Sequence, residues 1–307
     1  MLSRRHIRIK VMQSLYSFFS QKNTHAKDIE KSFLKNCDEI VHLAYSIVSL
    51  MIEIINYADN FYENGKNKFL PDEDDLNPNK RFIQNKLIEN ILSDKDLIKS
   101  ASRFKSTWLE NDHDIISKIF IKIYKSQLYV NYLESEDKSL KCDKIFFIDL
   151  MNNFILSNEL VNHVLEEKSI YWVDDLPFVA TIIFGSIKEY STIKISGPFK
   201  HVSDEKFALD LLRKTITNNE SYEKIIKNYA KNWELERIAI MDQIFLKMSF
   251  AEILYMPNLP VKVSMNEYIE ISKYYSTLKS KSFVNGMLDS FVKDYKEKGK
   301  INKLTNL

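Results

Sequence analysis

The chain has 307 residues, of which 45% are hydrophobic and 28% charged, with only 5 glycines and 6 prolines. That is enough chain for one large domain or two ordinary ones. The scarcity of turn residues excludes a turn-rich β architecture, which needs punctuation every ~8–12 residues, and predicts an all-α fold. A net charge of only +2 requires any nucleic-acid affinity to come from local patches.

The first predicted helix covers Ser3–Ser20. Ile7, Val11, Leu15 and Phe18 form its apolar stripe, and Arg5, Arg8, Met12 and Tyr16 lie along one flank. A longer helical pattern runs from about Lys27 to Tyr62 and stops at Gly65. The acidic run Pro71-Asp72-Glu73-Asp74-Asp75 that follows reads as a solvated connection. Helical patterns resume near Lys80 and continue with short breaks to about Tyr190. Ser196-Gly197-Pro198 is the sharpest break. It sets the expected division into an N-terminal helical part, 1–200, and a C-terminal bundle, 201–307.

Beyond the break, the spacing predicts helices over about Asp204–Thr217 and Ser221–Trp233. A helix from about Leu235 to Tyr255 is apolar on most faces, as suits the centre of a bundle. Pro257 and Pro260 end it. Ser264-Met265-Asn266-Glu267 reads as a capping box that starts a helix to about Tyr275. A last helix begins near Ser282 and frays into a lysine-rich tail. Gly286 lies inside that helix, where glycine costs about 1 kcal/mol relative to alanine. It faces away from Val284, Leu288 and Phe291 and shares a flank with Phe283. Two readings of it stand: a flat spot beside the Phe283 ring that a side chain would crowd, or close packing of another helix.

Chemistry is sparse. The histidines, His6, His25, His42, His113, His163 and His201, share no metal-ligand spacing. There is no nucleophile elbow and no glycine-rich phosphate loop, so neither catalytic residue, metal nor cofactor is expected. Asp174-Asp175 reads as a helix start rather than a carboxylate pair. Cys37 and Cys142 stand far apart without a ligand pattern and read as reduced thiols of a cytoplasmic protein. The N-terminus lacks the apolar core of a signal peptide, and no stretch of about 18 uncharged apolar residues predicts a membrane span. Asp242 lies in the most apolar helix, where an unpaired carboxylate is costly, so it faces solvent, a partner or a basic neighbour.

Two basic-aromatic clusters remain. One is Arg4-Arg5-His6-Ile7-Arg8-Ile9-Lys10 with Tyr16; the other is Lys279, Lys281 and Phe283. Guanidinium and ammonium groups contact phosphate, and aromatic rings stack on unpaired bases, which is how single-stranded RNA is held. Each cluster alone also reads as a solvated helix end; together they carry weight if the fold joins them.

Three stretches resemble a known family. Leu259-Pro260-Val261-Lys262-Val263-Ser264-Met265-Asn266-Glu267-Tyr268-Ile269-Glu270-Ile271-Ser272-Lys273 is similar to the signature P-x-K-V-x-I-N-E-x-I-E-L-A-K of the NusB transcription antitermination factors. Phe283-Val284-Asn285-Gly286-Met287-Leu288-Asp289 resembles their F-V-N-G-V-L-D, and Arg4 to Tyr16 their arginine-rich opening with x-Q-x-L-Y. Residues 1–20 and 201–292 carry the resemblance, 27–55 only loosely, and about 65–200 reads as an insertion. The resemblance implies a pair of packed helical bundles with an enlarged N-terminal part and no enzymatic activity. It also implies binding of boxA-type single-stranded RNA together with a small-subunit ribosomal protein acting as NusE. The resulting RNA polymerase antitermination complex supports ribosomal RNA transcription. A homodimer over the partner surface is compatible with it.

By the same resemblance, Arg4, Arg5, Arg8, Tyr16, Lys279, Lys281, Phe283, Asn285 and Gly286 are candidate RNA-binding residues, and Asp242 is the candidate partner contact. The opening run departs from the pattern in holding only three arginines. Two other readings are open. One is a helical scaffold that binds only protein. The other is a remnant of the RNA-binding domain of ribosomal RNA cytosine methyltransferases; that reading needs a following α/β domain, whereas only a short tail follows residue 292.

Overall fold

The computed structural model describes residues 2–21, 26–110, 114–230 and 237–303, and every regular element among them is helical. They form two compact units, one of Asp38–Pro198 and one of Leu2–Cys37 with the residues from Phe199 on. The boundary after Pro198 coincides with the Ser-Gly-Pro break. The N-terminal segment does not belong to an N-terminal part of 1–200, however. The helix α1 (Arg4–Ser20) packs in the unit that holds the C-terminal helices.

The Asp38–Pro198 unit is built on most of α2 (Ala26–Gly65). Leu43, Ala44, Ile47, Leu50, Ile54 and Ala58 recur at helical spacing and have no exposed surface. By length and composition α2 could cross a membrane, but 67% of its apolar stretch is buried within the fold, as expected of a core helix. Around it stand α3 (Glu73–Leu76), α4 (Arg81–Gln84), α5 (Lys86–Ser93), α6 (Lys95–Ser102), α7 (Ser106–Leu109), α8 (Ile115–Tyr124) and α9 (Gln127–Glu134). They are followed by α10 (Leu140–Met151), which runs on into a π-turn over Asn152–Leu156, then α11 (Glu159–Lys168) and α12 (Trp172–Tyr190).

Aromatic rings fill the space between α2, α4, α8 and α9. Phe120 lies 5.3 Å from Phe61 and 6.3 Å from Phe82, and the Tyr62 and Tyr129 hydroxyls share a hydrogen bond. The acidic run is partly helical, because Asp72 and Asp75 form a reciprocal capping box for α3. Gly65 leaves room there: a Cβ would meet the Asp75 carboxylate at 3.0 Å, and that side chain would have to shift. Asp174 and Asp175 occupy the first turn of α12, as the sequence predicts.

The second unit contains α1, the start of α2, α13 (Val202–Thr217), α14 (Asn219–Tyr229), α15 (Ile240–Tyr255), α16 (Val261–Tyr275) and α17 (Ser280–Glu297). Every residue from Ile244 to Ile253 is buried, so α15 is the bundle centre that its all-round apolarity predicts. Ile7, Val11 and Leu15 of α1 are buried where it packs on α13 and α15. The expected helix limits Trp233 and Leu235 fall outside the described residues.

The expected capping box at Ser264 is not one. Residue 260 is the N-cap and α16 begins at Val261, a full turn earlier. Ser264 is fully buried and its hydroxyl donates to Glu252 at 2.7 Å, while Glu267 binds Arg5. Both polar side chains make tertiary bonds instead of capping the helix.

Candidate nucleic-acid interface

The arginine run of α1 splits by helical direction. Ser3 caps the helix, its oxygen accepting the His6 N–H. Arg8, one turn further on, points inward and is only 1% exposed. Its Nε and Nη2 donate to the two carboxylate oxygens of Glu252 at 2.8 and 2.6 Å. Glu252, with no exposed surface, also accepts from Ser264 Oγ at 2.7 Å and Tyr268 Oη at 2.8 Å. One carboxylate thus takes four hydrogen bonds, which is what a buried charge requires. Burial pulls the Arg8 pKa down, but bonding to Glu252 and its charge overcome this and hold it above the ordinary arginine value. Burial, with the Glu252 charge next, raises the Tyr268 hydroxyl well above its usual range. Arg8 is therefore a framework residue, which corrects its assignment to RNA. A buried guanidinium in a two-pronged ion pair cannot reach a phosphate without opening the bundle.

Arg4 and Arg5 lie nearer the surface. Arg4 Nε meets Asp204 at 2.8 Å and its guanidinium covers the Phe207 ring at 4.4 Å. Arg5 donates from Nε and Nη2 to the two oxygens of Glu267, both at 2.8 Å, yet its side chain remains 48% exposed. Lys10, at the end of the basic run, is buried and donates to Asn36 at 2.9 Å. Tyr16 is 46% exposed and available on the same helix.

At the head of α17, Lys279 and Lys281 are exposed and Phe283 is half-buried. Asn285 is exposed and donates to Asp289 at 3.1 Å. Gly286 is exposed, and a Cβ there would meet nothing within 4 Å. That corrects both readings of the glycine: a methyl group would not crowd the Phe283 ring, and no other helix packs on the spot among the described residues. Tyr274, just upstream and 80% exposed, adds a ring to this surface although the sequence motifs do not single it out.

Asp242 turns inward and is 6% exposed. Its two oxygens accept from Ser276 Oγ at 2.6 Å and Ser280 Oγ at 2.9 Å, which ties the first turn of α15 to the start of α17. The carboxylate that the resemblance assigns to a partner is thus an internal acceptor. Its neighbours are hydroxyls rather than the expected basic group.

The fold does bring the two basic clusters together. Glu270, one turn after Glu267 on α16, has its carboxyl held below the usual range, first by its bond to Lys273 and by the Lys273 charge, and last by the charges of Lys281 and Arg5. Arg5 from one end of the chain binds Glu267 of α16, and α16 packs on α17, which carries Lys281 from the other end. Glu267 is lowered too, chiefly by its bonds to Arg5. Charge is also divided unevenly along the chain. Residues 38–198 hold 18 Lys and Arg against 26 Asp and Glu, a net −8, and the remaining residues hold 26 against 16, a net +10.

Comparison with known proteins gives matches over the C-terminal third of the chain. The NusB family model matches residues 186–293. The transcription antitermination protein NusB of Salinibacter ruber is 43% identical over 101 residues, which cover 33% of this chain and 63% of that protein. Its namesake in Chloroherpeton thalassium is 41% identical over 102 residues, 33% of this chain and 48% of that protein. A third, from Methylacidiphilum infernorum, is 43% identical over 91 residues, 30% and 64% of the two chains. The chain thus spans between about half and just under two thirds of the length of these curated relatives. No solved structure matches it. Over residues 186–293 this all-α chain is thus similar to the NusB transcription antitermination proteins.

Proposed function

We propose that this protein is an RNA-binding transcription antitermination factor. The observation that carries the reading is the placement of α16, bonded to Arg5 through Glu267 and packed on the α17 that carries Lys281, on a unit with net charge +10. It joins two clusters that are separate and weak in sequence. The relatives named as transcription antitermination proteins support the same role. In this reading Arg4, Arg5, Lys279 and Lys281 contact phosphates, and Tyr16 and Phe283 offer rings to unpaired bases. Asn285 and Gly286 leave open surface beside them. The RNA is of boxA type, and the complex forms with a small-subunit ribosomal protein acting as NusE. It serves ribosomal RNA transcription by RNA polymerase in the cytoplasm. The role is binding rather than catalysis, and the acidic 38–198 unit is not part of the phosphate-binding surface.

The test is fluorescence anisotropy of a labelled boxA-type RNA and a scrambled RNA at moderate salt, with and without the ribosomal protein. The reading expects preference for the boxA-type strand and tighter binding with the partner. Equal, weak affinity for both strands under both conditions would overturn it.

A further inference from the structure

We propose that Glu267 is an internal stand-in for RNA phosphate: it occupies Arg5 in the free protein, and an incoming phosphate must displace it. The inference rests on the RNA-binding reading above and adds an exchange step to that site. Arg5 presents its Nε–Nη2 edge to Glu267, with both bonds at 2.8 Å. This is the edge with which a guanidinium grips a phosphate through two parallel bonds. The pair sits where RNA can reach it, with side chains 48% and 21% exposed.

Exchange leaves neither charge stranded. Oε2 of Glu267 also lies 3.8 Å from Nη1 of Arg8, whose other edge is committed to Glu252. When Arg5 turns to a phosphate, Glu267 keeps a fixed cation beside it, so the swap costs one exposed ion pair and not an isolated carboxylate. The buried Arg8 that cannot bind RNA thereby acquires a second task, holding the displaced carboxylate. Glu267 lowers RNA affinity in the resting protein and makes Arg5 available only to a ligand that replaces it.

The decisive experiment is a double-mutant cycle in the full chain, reading RNA affinity by anisotropy with a boxA-type oligonucleotide. Glu267→Gln should bind about two- to fivefold tighter than the wild type, the range an exposed ion pair supports. That gain should vanish in the Arg5→Ala background, where there is nothing left to release. An unchanged affinity for Glu267→Gln, with the wild type binding normally, overturns the exchange and leaves the RNA reading intact. So does an equal gain in both backgrounds, which reports only the removal of a negative charge. Absence of RNA binding by wild type and variant alike overturns the RNA reading and the inference together. Carboxyl-carbon NMR on the wild type makes the same test without a variant. Saturating RNA should raise the Glu267 titration toward the ordinary glutamate range, and an unmoved titration overturns the exchange.

Discussion

Replacing Arg8 with alanine separates the framework role from the RNA role most sharply. The substitution removes the two bonds at 2.8 and 2.6 Å that Arg8 makes to Glu252. Glu252 then keeps only Ser264 and Tyr268 as donors, in a site with no exposed surface. Removing one member of a buried ion pair costs about 3–5 kcal/mol, because the remaining charge is left uncompensated. The guanidinium also covers the rings of Phe207 and Tyr268, at 5.3 and 5.8 Å, and that packing disappears as well. Against a native stability of about 5–15 kcal/mol, this is about a fifth of the total or more.

The assay is urea denaturation at pH 7, with hydrogen–deuterium exchange reporting α1, α15 and α16 separately. Arg8→Ala should unfold these helices first, and Arg8→Lys should also fall short, because an ammonium cannot supply the fork. The double replacement Arg8→Met with Glu252→Met should recover most of the loss, since apolar residues of similar volume replace buried pairs at little cost. A loss under about 1 kcal/mol for Arg8→Ala, accompanied by weakened RNA binding, refutes the reasoning and returns Arg8 to the phosphate-binding set.

Gly286→Ala should stabilise α17 by about 1 kcal/mol, because the position is interior to the helix and a Cβ there has open space; a lower thermal midpoint would show an unseen neighbour. Unchanged RNA affinity in the same variant removes Gly286 from the binding surface. His6 has its pKa pulled down to about 4, first by burial and then by the charges of Arg5 and Lys10. Between about pH 6.5 and that value the unfolded chain binds a proton that the folded chain refuses, so stability falls as the pH drops through this window. Urea midpoints should therefore decline from about pH 7 to about pH 5, above the range where carboxylates titrate, and His6→Asn should flatten the decline; an equal slope in the variant contradicts it.

Much of the fold was legible because the bundle is regular. The stripe Ile7, Val11, Leu15 and the all-round apolarity of Ile244–Ile253 predicted an α1 buried along one face and an α15 buried on all sides, and both hold. What the sequence could not show was use. Arg5 and Arg8 are alike in sequence, yet three residues along a helix turn one side chain outward and the other onto Glu252, 244 residues away. Ser264 and Glu267 match a capping box by spacing, but each had a stronger tertiary partner. Asp242 was recognisable as anomalous; its hydroxyl donors, Ser276 and Ser280, come from a loop and helix start whose approach no local pattern encodes. The overall +2 concealed a basic unit and an acidic one, because residues 2–37 had first to be assigned to the C-terminal bundle.

The most direct test of the central claim is the salt dependence of RNA affinity for the wild type and for the double variant Arg5→Ala with Lys281→Ala. Both side chains are exposed, so the variant should remain folded. If Arg5 and Lys281 form one phosphate-binding surface, the variant binds more weakly and its slope of log affinity against log salt falls by about 1.4, at roughly 0.7 for each single-strand phosphate no longer neutralised. A folded variant with the wild-type slope and affinity would contradict the account.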